Sequence, residues 1–400
     1  VVGKSRPPIW TRAYILLCLA AFLSYAQYAL LVPTIPLYVV HLGHSAFVAG
    51  IVLLSFSLPS FSLRPLVGYL ADSWHAVGVL TLGAVLIAAG SSVYMIPAFV
   101  AVFAGSAVRG LGWAGLNTGG YTVLAHLAPP SRRGEAAGYY SSLTGAASLA
   151  FPAAALWLLS SSHGGYNAVF LSAALFALLS AAIGFFALRR LVSIPPVVAS
   201  GSRPGFLSAA VGLIDRGVLL ATALNASVTL SQPAITAFLP LYARHAGIQG
   251  VGLFYIVAGI SDMLSRPLFG RAGDRVGRGY SMVPSYLAQI AGVALILFRP
   301  SLPAILFCGV LNGAGSAVNS ASAMALGMDL ADPRRRGAAM ATFSLSFQMG
   351  NGIGSVMAGS LITLVGYQGM YAGSIVVLVC GLGLALANWR RLAHVVPVAV

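Results

Sequence analysis

Hydrophobic positions along the chain fall into twelve long runs, separated by short breaks of turn residues or charge. The runs cover approximately residues 13-40, 45-70, 76-96, 98-126, 136-160, 166-188, 212-243, 250-270, 280-299, 302-328, 338-364 and 368-389. A membrane-spanning helix needs about 20 mostly apolar residues, so each run predicts one such helix. The breaks carry glycine, proline and arginine: His-Leu-Gly-His at 41-44, Pro-Pro-Ser-Arg-Arg-Gly at 129-134, Asp-Arg-Val-Gly-Arg at 274-278 and Asp-Pro-Arg-Arg-Arg-Gly at 332-337. The first run is too long for a signal-peptide core and lacks a clear cleavage site, so it reads as the first helix. The expected fold is an all-α membrane protein.

Composition excludes the alternatives. Of 400 residues, 58% are hydrophobic and 7% charged, against about 25% charged in soluble domains. The 46 glycines and 21 prolines would suggest disorder in water but are tolerated where neighbouring helices satisfy the freed backbone groups. Cys18, Cys308 and Cys380 lie far apart without metal-type spacing, so no disulfide framework, metal site or cofactor is expected.

The net charge of +15 could suggest nucleic acid, but its placement says otherwise. With the N-terminus in the cytoplasm, nineteen of the 22 basic residues fall at cytoplasmic helix ends or turns, only Arg244 and Arg299 lie outside, and Arg109 sits mid-span. The charge is a topology signal that puts both termini in the cytoplasm of a cell-membrane protein. The expected partners are lipid, a small-molecule substrate and protons as coupling ion, with no nucleic acid and a monomeric state.

The chain is written twice. Pro36-Leu37-Tyr38-x-x-His41-x-Gly43 recurs as Pro240-Leu241-Tyr242-x-x-His245-x-Gly247. Arg64-Pro65-Leu66-x-Gly68-x-x-x-Asp72 recurs as Arg266-Pro267-Leu268-x-Gly270-x-x-x-Asp274, and Gly110-x-Gly112 as Gly313-x-Gly315. Six spans separate the copies, so both halves enter the membrane from the same side. The expected organisation is two pseudo-symmetric six-helix halves, residues 1-188 and 217-400, joined by a cytoplasmic linker at 189-216.

These residues resemble the major facilitator superfamily of secondary transporters. Gly270-Arg271-Ala272-Gly273-Asp274-Arg275-Val276-Gly277-Arg278 looks like that family's signature between helices 8 and 9. A reduced copy, Gly68-Tyr69-Leu70-Ala71-Asp72, lacks the usual basic residues because Ser73, Trp74 and His75 follow it. The resemblance implies a cytoplasmic gate built from Arg64, Gly68, Asp72, Arg266, Gly270, Asp274, Arg275 and Arg278, in which carboxylates accept N–H groups at helix ends and pair with arginine. The alternative is a turn that ends a helix.

Candidate chemistry is sparse inside the spans. Asp262 has Ser60 as its repeat counterpart and lies four residues before Arg266. It is either a proton-coupling carboxylate or half of a helix-end ion pair. Arg109 heads a helical face with Trp113 and Asn117, and Asn312 and Ser316 occupy the equivalent face in the second half. The first helix offers Tyr25 and Tyr28, the seventh Thr229 and Gln232, with Asn225 a turn before. In the family's arrangement helices 1, 4, 7 and 10 surround a central cavity, so these ten residues are expected to line it; singly, each polar one equally suits helix-helix contact. Arg109 reads as a contact for an anionic or carbonyl group of the substrate, or as a structural tie to another helix.

The expected function is alternating-access transport by a proton-coupled exporter of a small organic solute such as a drug, sugar or related metabolite. A uniporter or importer of an anionic or zwitterionic metabolite is the alternative. No phosphate-binding Gly-x-x-x-x-Gly-Lys loop is present. An enzyme is disfavoured because the seven histidines show no ligand spacing, and a channel because no ring of pore charges appears.

Overall fold

The computed structural model describes residues 8–161, 164–192, 215–331 and 336–393; the side chains at 72, 73, 130, 266–276, 336–338, 341 and 391 lie outside the description. The described chain is helical throughout. We label the long segments α1 (Arg12–His41), α2 (Ala46–Ser62), α3 (Ala76–Val93), α4 (Phe99–Leu127), α5 (Arg133–Ser160), α6 (Tyr166–Ala182), α7 (Leu219–Thr236), α8 (Gly252–Val276), α9 (Arg278–Phe298) and α10 (Leu302–Leu330). A final run, Arg336–Ala387, is broken by Gly366 at φ 75° into α11 (336–365) and α12 (367–387). Among the described residues twelve long helices therefore stand where the twelve apolar runs predict them, the second and seventh runs each continuing into a short further segment. Most of the expected linker, 193–214, lies outside the described residues.

Local chemistry sets the helix ends. The Thr11, Ser45 and Ser301 side chains accept the N–H groups of Tyr14, Val48 and Ala304 at the starts of α1, α2 and α10, satisfying donors that the first turn leaves free. Pro65 follows a break at Leu63, where α2 bends by 47° into the short segment Arg64–Leu70. Pro233 has a related effect in the second half. The amides of Ala237 and Phe238 both reach its carbonyl at 2.9 Å, and the chain restarts as Leu239–His245. Its first-half counterpart position is Ala29, and α1 runs without interruption to His41.

Packing repeats between the halves. Helix α4 packs on α3 and α2, as α10 packs on α9 and α8; α3 packs on α6, as α9 does on the α11–α12 run. The repeated glycines permit this. A Cβ at Gly110 would collide with the Phe56 carbonyl and one at Gly313 with the Ala258 carbonyl, so each helix pair meets backbone to backbone.

Between halves, α2 packs on α11 and α5 on α8. The Phe47 amide donates to Thr363 Oγ1 at 3.2 Å, Gly359 abuts the Ala46 carbonyl, and Gly252 and Gly259 meet Ala153 and Leu149. All these contacts lie toward the ends away from the arginine-rich turns. Toward the arginine-rich end, Tyr139 and Leu143 of α5 and Met263 and Leu264 of α8 are exposed. Among the described residues, the contacts between halves named above concentrate at the end away from the arginine-rich turns.

Candidate functional site

The site is organised around Arg109, one-third of the way along α4 and 3% exposed. Its stem passes Gly90 of α3, where a Cβ would stand 2.6 Å from Arg109 Cγ. The guanidinium donates from Nη1 to Tyr94 Oη at 2.9 Å and from Nη2 to Gln27 Oε1 at 3.0 Å. Tyr94 Oη in turn lies 2.8 Å from Ser106 Oγ. The guanidinium carbon stands 5.4 Å from the ring centres of both Phe56 and Tyr94, within cation-π range. Among the described residues no carboxylate pairs with Arg109, and its Nε–H has no acceptor. A guanidinium stays protonated in any protein setting. Neutral dipoles therefore hold a full buried charge, which costs several kcal/mol unless an anion or water completes its shell.

Toward the arginine-rich end, rings continue the face. Tyr28 stacks on Trp113 with centroids 4.6 Å apart and planes 23° apart, and Tyr25 meets Trp113 at 4.9 Å. The Tyr25 hydroxyl donates to Asn117 Oδ1 at 2.9 Å, while Asn117 Nδ2 donates to the Trp113 carbonyl at 2.9 Å. The structure thus brings Tyr25, Tyr28, Arg109, Trp113 and Asn117 together from α1 and α4. Across from them Gln232 Nε2 of α7 donates to Asn312 Oδ1 of α10 at 3.3 Å, with Ser316 half-buried one turn on.

Two expected cavity residues are placed elsewhere. Asn225 Nδ2 donates to Ser346 Oγ at 2.7 Å, and Thr229 Oγ1 donates to the Ser346 carbonyl at 2.6 Å; both are buried against α11. At 100° per residue 225, 229 and 232 fall within about 60° of one another, so what differs is the neighbour at each depth: Ser346 of α11 meets 225 and 229, and Asn312 of α10 meets 232.

A small cavity of about 70 Å³ adjoins Arg109 between the two halves. Tyr28, Phe56, Ser57 and Ser106 line it from one half, and Thr236, Asn351 and Ser355 from the other. Sequence patterns missed Gln27, Tyr94, Ser106 and Phe56. Gln27 carried a usable signal, a lone amide within an apolar run; Tyr94, near a helix end, carried none.

The gate residues are less fully visible. Arg64 and Gly68 are half-buried after the α2 bend; the side chains of Asp72, Arg266, Asp274 and Arg275, and position 270, lie outside the described ones. Arg278 Nη2 lies 3.5 Å from Asp329 Oδ2, joining α9 to α10 at a partly exposed site. Asp262 is half-buried on α8.

Comparison with known proteins agrees with this architecture. The sequence model of the Major Facilitator Superfamily matches residues 17–265 and 249–397. The human protein named Solute carrier family 67 member A1 is 30% identical over 175 residues, 42% of this chain and 40% of its own. The chain thus matches about two fifths of the length of such curated relatives. Among solved structures, a bacterial homolog of the human lysosomal transporter Spinster, in an inward-facing and unoccupied conformation, superposes with TM-score 0.77 at 16% identity, covering 97% of this chain and 98% of that one. The nucleoside transporter NupG gives TM-score 0.70 at 17% identity, with 95% and 99% covered. At these identities the likeness speaks for the fold.

Proposed function

The chain belongs to the major facilitator superfamily of transporters, and from that premise we propose that it is a secondary carrier for a small organic solute bearing an anionic or carbonyl group. The observation that carries this reading is Arg109: a buried cation held by neutral groups at a cavity between the halves. A carboxylate or carbonyl oxygen of the solute supplies the missing acceptor. Tyr25, Tyr28 and Trp113 offer apolar area beside it, and Gln232 and Asn312 offer amide groups that fix orientation. With the arginine-rich turns in the cytoplasm, the α2–α11 and α5–α8 contacts form the outer seal. Halves 1-188 and 217-400 rock about the site, the linker 189-216 joins them, and the aspartates at 72 and 274 hold the inner gate in the opposite state.

Export in exchange for protons is our reading of direction. The compact frame, and a turn after α7 of the Leu239-Pro240-Leu241-Tyr242-Ala243 kind, resemble bacterial efflux permeases. Asp262, present in one half only, is the coupling carboxylate. Counterflow in proteoliposomes tests the proposal, after a thermal-shift screen across solute classes supplies a substrate. Saturable exchange is expected, and Asp262→Asn should retain exchange while losing accumulation driven by a pH gradient. Unsaturated flux would contradict a carrier, and full gradient-driven uptake in Asp262→Asn would contradict the coupling role.

A further inference from the structure

The cavity beside Arg109 is too small for the solute that the carrier is proposed to move. Pockets for drug-sized ligands measure about 300–1,000 Å³; this one is about 70 Å³. It nevertheless adjoins a guanidinium that is 3% exposed, has no carboxylate partner among the described residues, and keeps an unused Nε–H. We propose that this cavity is a binding site for a small monovalent anion of the size of chloride or formate, occupied by the free ion in the empty carrier and by the acidic group of the solute in the loaded one. The second clause rests on the reading of Arg109 as a substrate contact; the first does not.

The donor set fits such an ion. Nη1 and Nη2 each spend one N–H, on Tyr94 and Gln27, so each retains a second N–H donor. Asn351 of α11 uses one amide N–H on the Phe347 carbonyl at 2.9 Å, leaving a second for the cavity it lines. The rings of Tyr28, Phe56 and Tyr94 complete the walls. The cavity holds an ion together with a water or two, each water needing roughly 10–15 Å³ of such space. Charge balance gives the site its sign: the anion offsets a cation that has little access to water. At the repeat-equivalent position of the second half Asn312 replaces Arg109 and bonds a neutral Gln232.

The test uses full-length protein purified in sodium gluconate, in lipid nanodiscs, with thermal unfolding followed as sodium chloride, formate or acetate is titrated at constant ionic strength. Chloride and formate should raise the melting temperature saturably by several degrees, acetate less, and gluconate not at all. Arg109→Gln should remove the response. Should that variant fail to fold, Asn351→Leu, which fills the cavity from the other half and spares the Arg109 partners, should also abolish it. An unfolding temperature indifferent to the anion, an equal response to every salt, or a response retained in Arg109→Gln would each overturn the site. The arms separate the two readings. A saturable chloride effect alongside normal solute binding in Arg109→Ala leaves the anion site standing and removes the substrate contact; loss of solute binding without any chloride effect does the reverse.

Discussion

The two halves share a skeleton and differ in the side chains it carries. Gly110 and Gly313 press against equivalent carbonyls, yet the candidate-site side chains nearby are aromatic and cationic in the first half (Tyr25, Tyr28, Arg109, Trp113) and amide and hydroxyl in the second (Gln232, Asn312, Ser316). Behind that face the order inverts. Ala84, Ile87 and Leu116 form an apolar cluster in the first half. Their repeat positions hold Tyr286, Gln289 and Asn319, fully buried, with Gln289 Oε1 and both Asn319 amide atoms lacking partners. Buried polar atoms of this kind are hydrogen-bonded as a rule, often to water. Duplication preserved the backbone contacts that allow two helices to approach and released the side chains around them. The proposed recognition of an asymmetric solute draws on that difference.

The shared skeleton is the easiest part to break. Gly110→Val and Gly313→Val each force a side chain against a backbone carbonyl that cannot rotate away, so each should destabilise by about 2 kcal/mol or more. Thermal unfolding of the two variants should show drops of similar size; a large drop in one and none in the other would dissolve the equivalence of the halves.

A smaller effect sharpens the divergent part. The Arg278–Asp329 contact at 3.5 Å occupies positions whose first-half counterparts are Ala76 and His126, so it belongs to one half alone. Both side chains are partly exposed, and such pairs contribute about 0–1 kcal/mol. Asp329→Asn should leave the melting temperature nearly unchanged and raise the urea sensitivity of the α9–α10 end only slightly. A loss comparable to that of Gly313→Val would mean that this pair braces the whole half.

Much of this architecture was legible in the sequence because length and hydropathy decide it. Twelve apolar runs gave twelve helices, and the repeated Gly-x-Gly located the close approach of α4 and α10. Faces were legible only in part. The spacing of Arg109, Trp113 and Asn117 marked one surface of α4 correctly as a unit, but periodicity names no partner, so Gln27 and Tyr94 went unseen. Asn225 and Thr229 show the converse limit: both bond α11 while Gln232, on nearly the same angle of the same helix, bonds α10, because the neighbour packed at each depth sets what a side chain meets. The small cavity depends on where three helices of one half approach two of the other, a distance no local pattern encodes.

The direct test of the central claim is solute affinity by calorimetry for Arg109→Ala and Arg109→Lys, with melting temperatures recorded alongside. Losing a buried, charged hydrogen-bond donor from a ligand site costs about 2–5 kcal/mol, so Arg109→Ala should abolish measurable binding. Arg109→Lys, which replaces a planar fork by a point charge, should weaken it while remaining folded. Wild-type affinity in a folded Arg109→Ala protein would contradict the account.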